Sequence, residues 1–166
     1  MSKLNNLEDL FHHQLKDIYS AEKQLISALP TMKEKASNAK LKQAFEDHLK
    51  ETKKHKKRLD EIADTLGIDL SGETCNAMKG LIKEAKEFIS EDASEEVRDA
   101  GIIADAQRIE HYEISAYGTA VQFAMGVDQS KIAEKLQQTL DEESAADKKL
   151  NELAVNNINK QAKDYS

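Results

Sequence analysis

The stretch AQRIEHYEISAYG, residues 106–118, decides how the chain is read. Spacings of three and four make it one turn-by-turn face of a helix, with Ile103, Ala106, Tyr117 and Val121 on the apolar stripe and Glu110 and Glu113 on the same stripe between them. An ionised carboxylate loses several kcal/mol of hydration when it leaves water, so a buried stripe normally excludes it. Two glutamates at the centre of such a stripe need a partner.

Outward from that helix, three more long segments carry the same periodicity. The first runs from about Leu4 to Ala36, with Leu4, Leu7, Phe11, Leu15, Ile18, Glu22, Leu25, Leu29 and Met32 in register and Pro30 as an expected kink. The second follows a Ser37-Asn38 cap and ends at Gly67, with Leu41, Phe45, His48, position 51 or 52, His55, Leu59, Ile62 and Leu66 on its stripe. After the turn Gly126-Val-Asp-Gln-Ser130 the last carries Ile132, Leu136, Leu140, Glu143, Asp147, Leu150, Ala154 and Ile158. Residues 67–93 hold a loop and a shorter helix near Asn76–Ile89, and the helix containing Glu110 starts after a capping-box-like Asp92-Ala-Ser-Glu95. A hairpin, a long crossover and a second hairpin describe an all-α four-helix bundle of the ferritin-like type, with a short extra helix in the crossover between the second and third long helices. Residues 1–166 read as one such domain with a frayed tail at 160–166.

Composition agrees. Six glycines, one proline and a charged fraction of 33% suit long helices and leave few turn residues for a many-stranded sheet. With 24 basic against 31 acidic residues, the net charge of −7 argues against the nucleic-acid backbone as main partner. The run KKHKKR, residues 53–58, reads as a solvated helix face. No apolar run has the length of a membrane span, the start is not of signal-peptide type, and the single Cys75 has no partner for a disulfide within the chain, so the expected setting is the cytoplasm.

All four stripes are interrupted by ionisable residues near mid-helix: Glu22; His48 with Glu51 or His55; Glu110 and Glu113; Glu143 and Asp147. Packed helices of similar length bring their midpoints to one level, so these side chains should share a layer, and no Lys or Arg stands on the stripes. Several buried carboxylates without a cation would cost several kcal/mol each. Two divalent ions would neutralise them and satisfy their lone pairs. Oxygen-rich ligation with one or two imidazoles suits iron or manganese better than zinc or copper. Glu22, Glu110, Glu113 and Glu143 are the first choices as ligands; His48, Glu51 and Asp147 are the second. Tyr19 lies one turn before Glu22, and Tyr112 and Tyr117 flank the glutamate pair as possible hydrogen-bond donors or redox neighbours.

The segments DIYSAEKQL (17–25), AFEDHLKET (44–52), CNAMKGLIKEA (75–85), AQRIEHYEISAYGT (106–119) and TLDEESAADKKLNELA (139–154) resemble the YciE/YciF family of ferritin-like proteins, with the YciF branch closer. That resemblance implies a cytoplasmic bacterial stress-response protein, a homodimer related to rubrerythrins, and the converging layer itself points to a carboxylate-rich di-metal site that reacts with a small oxidant such as peroxide or oxygen. The alternative is a non-catalytic dimeric scaffold that binds a partner. The usual Glu-x-x-His of the second and fourth helices is altered: the chain offers His48-x-x-Glu51, and Ala146 stands where the last histidine is expected.

Overall fold

The computed structural model describes residues 4–164. Helix α1 spans Leu7–Lys35, α2 Ala39–Leu66, α3 Asn76–Ile89, α4 Glu95–Gly126 and α5 Ser130–Leu153. The chain then passes through one π-helical turn, Ala154–Ile158, into α6, Asn159–Asp164. Side chains set the starts. Asn6, Asn38 and Ser94 each accept a hydrogen bond from a first-turn backbone N–H, which satisfies a donor the helix leaves free. Ser94 acts alone, because Val97 stands where a capping box would need Glu or Gln. Gly67 closes α2 in the left-handed region, at φ 66°, as the sequence signal required.

Helix α1 packs on α2, α4 on α5, α1 on α4 and α2 on α5, which closes the square of a ferritin-like bundle; α3 lies outside, against α1 and α4. Gly101 on α4 carries no Cβ where the Phe88 ring of α3 rests, so the crossover helix can approach closely. The core has two apolar halves. One contains Leu25, Leu29, Leu41, Phe45, Ile103, Ile109 and Leu150; the other contains Phe11, Leu15, Ile18, Leu59, Ile62, Tyr117, Val121 and Leu136. Each long helix contributes to both, and each crosses from one to the other at its polar residues. The proposed common level is therefore a feature of the packing.

Three expectations change. Leu4 and Leu7 are 47% and 39% exposed, Leu4 lying before the Asn6 cap and Leu7 on the first turn of α1. On α5 the inward stripe passes through Thr139 rather than Leu140, with consequences for the site given below. The tail is helical rather than frayed as far as Asp164, held by Ala154 and Ile158, which are buried in the first apolar half; residues 165–166 lie outside the described residues. Pro30 is accommodated inside α1.

The α1–α2 corner is fixed to α4 by one side chain. The buried Asp99 carboxylate accepts the backbone N–H of Ser37 and of Asn38, both at 2.7 Å. Truncation would leave two N–H groups without these bonds, and hydrogen bonds to charged groups contribute about 1.5–3 kcal/mol each. Asp99→Ala should lower the unfolding free energy by about 3 kcal/mol in a urea titration, at the low end for two such bonds because water reaches the corner. A loss below about 0.5 kcal/mol would show that the corner is held by other contacts.

Candidate metal centre

Between the two apolar halves lie Glu22 on α1, His48, Thr52 and His55 on α2, Glu110 and Glu113 on α4, and Thr139 and Glu143 on α5, all buried. No lysine or arginine belongs to the layer. Two sets of donor atoms converge, one from His48, Glu110, Glu113 and Glu143, the other from Glu22, His55 and Glu143, with the atoms of each set within 4.8 Å of one another. Glu143 belongs to both.

The sequence-based ligands divide accordingly. Glu22, His48, Glu110, Glu113 and Glu143 are brought together as expected. Glu51 is not among them: its side chain is 42% exposed and stands at the rim, 3.9 Å from His48 Nδ1. Asp147 faces the outer side of α4, where it accepts from Gln107 at 3.2 Å and lies 3.3 Å from His111. His55, left open in the sequence, is in the layer and fully buried.

The reason is helical phase. On α2 the inward positions repeat as 41, 45, 48, 52, 55, 59 and 62, alternating three and four, which selects Thr52 and His55 and leaves Glu51 one residue, about 100°, off the stripe. On α5 the same alternation runs 132, 136, 139, 143, 146 and 150, so Ala146 and not Asp147 is on the inward stripe. Leu140, the more hydrophobic of the two neighbours, lies one residue off the inward phase that Thr139 holds.

Expressed in that register, the ligand pattern is rearranged rather than reversed. A ferritin-like di-metal site takes a Glu from each of two helices and a Glu-x-x-His from each of the other two, four carboxylates and two imidazoles in all. Here Thr52 occupies the Glu position three residues before His55, and Ala146 the His position three residues after Glu143. Glu113 and His48 restore the same complement from elsewhere in the layer.

His55 is oriented by a second set of contacts. Its Nε2 lies 2.7 Å from Glu142, and Arg58 donates to both Glu142 oxygens, at 3.2 and 3.3 Å. With Nε2–H donating to that carboxylate, the Nδ1 lone pair is directed at Glu143 (2.8 Å) and Glu22 (3.6 Å), the carboxylate–histidine arrangement common at metal sites. Both His55 and Arg58 come from KKHKKR, so part of that run is buried machinery. Tyr117 donates its hydroxyl to Glu22 Oε1. Tyr112 instead bonds Asp17 and Cys75, and Tyr19 packs at the surface beneath Lys23 and Lys56.

Whether a metal suits these residues is a question of unmet bonding. Among the described residues, nine of the eleven buried side-chain polar atoms without a hydrogen bond belong to Glu22, His48, His55, Glu110, Glu113 and Glu143. His48 Nε2 lies 3.0 Å from Glu110, yet neither of its ring nitrogens has hydrogen-bond alignment. Lone pairs grouped in two sets with a shared carboxylate fit two divalent ions well. Without a cation, protons are the substitute. Burial, reinforced by Glu143, pushes Glu22 up to about 8, and burial with neighbouring carboxylates raises Glu113 and Glu143 well above the ordinary range. Burial opposes protonation of His48, but Glu110 outweighs it and raises that group, whereas burial lowers His55.

A four-helix bundle with this connectivity is ferritin-like in architecture, and its buried His and Glu groups are placed so that they could hold a metal ion. The family described as Domain of unknown function (DUF892) matches residues 6–163, and the chain belongs to that family. It is 46% identical over 160 residues to protein YciF of Escherichia coli K12, covering 96% of each chain. The crystal structure of that E. coli stress protein superposes with a TM-score of 0.91 over 95% of this chain and 99% of the other. YcfI of Rhodopseudomonas palustris, described as a candidate structural protein, is also 46% identical, with a TM-score of 0.87 over 90% of this chain and 95% of its own. A Xanthomonas campestris protein at 17% identity and a TM-score of 0.72 shares the fold.

The raised groups fix a pH dependence. In metal-free protein, Glu22, Glu113, Glu143 and His48 hold protons that the unfolded chain would release, so their stabilisation is complete below the unfolded pKa values and is lost as pH rises through the folded ones, near 8 for Glu22. His55 has the opposite sign. Chelator-treated protein should therefore lose melting temperature from about pH 6 to about pH 8.5, and Glu22→Gln should flatten that slope. A melting temperature that climbs over this window would contradict the assignment.

Proposed function

We propose that the protein binds two divalent ions, iron or manganese, in this layer and reacts with peroxide or oxygen as part of a stress response. The observation that carries the reading is the pair of donor sets meeting at Glu143, both buried and both rich in atoms without a hydrogen-bond partner. Paired ions of these metals, when bound, supply Lewis acidity and two-electron redox capacity for a small oxidant.

The chain's own residues do the rest. Glu143 belongs to both donor sets, so its loss would weaken both positions, whereas loss of Glu22 would leave the other set complete. Arg58 and Glu142 keep the His55 lone pair inward, and Tyr117 holds one oxygen of Glu22 so that the other, without a hydrogen bond, is left for a ligand role. The apolar halves on either side exclude water along the bundle axis. The stress association is carried over from the E. coli relative. No helix among the described residues is long and apolar enough to cross a membrane, and with Cys75 a buried free thiol the reading places the protein in the cytoplasm.

A second reading is a dimeric, non-catalytic scaffold. Thr52 and Ala146 at two ligand positions favour it, and Leu4, Leu7 and Met125, all exposed, offer a surface for a second copy. On that reading the layer stays protonated. A homodimer suits either reading and would show as twice the chain mass in light scattering.

Metal analysis separates the two readings. After incubation with Fe(II) or Mn(II) and desalting, the wild type should retain close to two ions per chain, Glu22→Ala about one, and Glu143→Ala few or none. At a free-metal concentration about a thousand times the dissociation constant, each ion should stabilise the fold by about 4 kcal/mol. Wild-type protein that retains no metal and shows no shift in melting temperature would decide for the scaffold.

A further inference from the structure

A cleft of about 400 Å3 runs between α2 and α5 and ends on the layer, with His48 and Glu110 at its floor. Its wall on the α5 side is Ala145 and Ala146. Position 146 is where a ferritin-like site carries its second histidine, and the alanine there lines the same cleft as His48 and Glu110, with no imidazole to fill it. Exposure follows the same line: Glu22, His55 and Glu143 are 0% exposed and Glu113 1%, but Glu110 reaches 2% and His48 6%. The layer thus meets solvent at the cleft floor.

We propose that this cleft is a binding port for a small exogenous ligand, which enters beside Ala146 and takes the position that a protein imidazole would otherwise fill. The inference rests on the two-metal reading above. The chemical class is a compact molecule with an unhindered nitrogen or oxygen lone pair, such as a peroxide, and the mouth selects no sign of charge. Lys50, Lys54 and Lys149 stand there against Asp47, Glu51 and Glu142, three of each. Several of these are already paired with each other, Lys50 with Asp47 at 3.8 Å and Lys149 with Asp47 at 3.3 Å. Peroxide is uncharged at neutral pH and meets little barrier at such a mouth, whereas a large or multiply charged ligand gains nothing from it. His48 bonds no hydrogen through either ring nitrogen and stands at the inner end, so the ligand would arrive next to it.

The port is tested on protein loaded with Co(II), whose visible absorption reports ligands without turnover. Azide and imidazole are the probes. Titration of the wild type should shift the Co(II) bands saturably. Ala146→Leu, at a half-exposed position that tolerates bulk, should bind the same amount of Co(II) but need at least ten times more azide; Ala145→Leu, on the outer part of the wall, provides a second block should the first fail to fold. Ala146→His should change the Co(II) spectrum before any probe is added and suppress the response to imidazole. Bound Co(II) that ignores azide in the wild type, or responds equally in the wild type and the folded leucine variants, overturns the port. Wild-type protein that takes up no Co(II) overturns the two-metal reading, and the port with it.

Discussion

The rest of this fold is arranged around the desolvation of four carboxylates. Glu22, Glu110, Glu113 and Glu143 lie at the level where the two apolar halves of the core meet, with no lysine or arginine among them. A domain has only about 5–15 kcal/mol of net stability, and several uncompensated ions at several kcal/mol each would exceed it. The layer must therefore be neutral in sum, through protons or through metal ions, whenever the chain is folded.

That constraint reaches outward in steps. His55 can present a lone pair to the layer only if its other nitrogen donates, and Glu142 accepts from it. Glu142 is itself held by Arg58, and Arg58 donates to Thr139, so the contact between α2 and α5 is a polar chain rather than an apolar seam at this level. Burial alone would raise Glu142; Arg58 and His55 overcome it and keep that group below the ordinary carboxylate range, which makes it a dependable acceptor. A basic run on a helix surface, read from composition, is ordinary. Here the phase of the helix turns one histidine and one arginine of that run inward and leaves Lys53, Lys54 and Lys57 in solvent.

The bundle and the existence of the layer were legible in the sequence because both depend on periodicity, and four stripes broken near mid-helix are a signal that survives a one-residue error. Ligand identity does not survive it. A step from Thr139 to Leu140 moves the apparent stripe by about 100°, which replaces Ala146 by Asp147 at the next turn. The same slip on α2 exchanges Thr52 for Glu51. Hydrophobicity favoured Leu140, but at the polar level of the bundle the buried residue is a threonine, since its hydroxyl can accept from Arg58. The alternation of three and four, followed strictly from Leu41 to Ile62, keeps His55 on the stripe and leaves Glu51 off it. The exposure of Leu4 and Leu7 had no such signal, because where a bundle core ends depends on what α1 packs against and not on its own stripe.

The rearranged ligand set also bears on what the site does. Replacing Glu by Thr52 and His by Ala146, while adding Glu113 and His48, keeps the donor count and moves donors from one half of the layer to the other. The half around Glu22 and His55 is left with three donors, all inaccessible; the half around His48 and Glu110 has four and opens on the cleft. On the two-ion reading, the two positions would differ in their access to solvent. The closed one is suited to retention, because its ligands are fixed by Tyr117 and by the Glu142–Arg58 pair. The open one is suited to exchange. With alanine at 146 lining the cleft, the donor set of His48, Glu110, Glu113 and Glu143 is the nearer of the two to solvent, and the set of Glu22, His55 and Glu143 is the more enclosed.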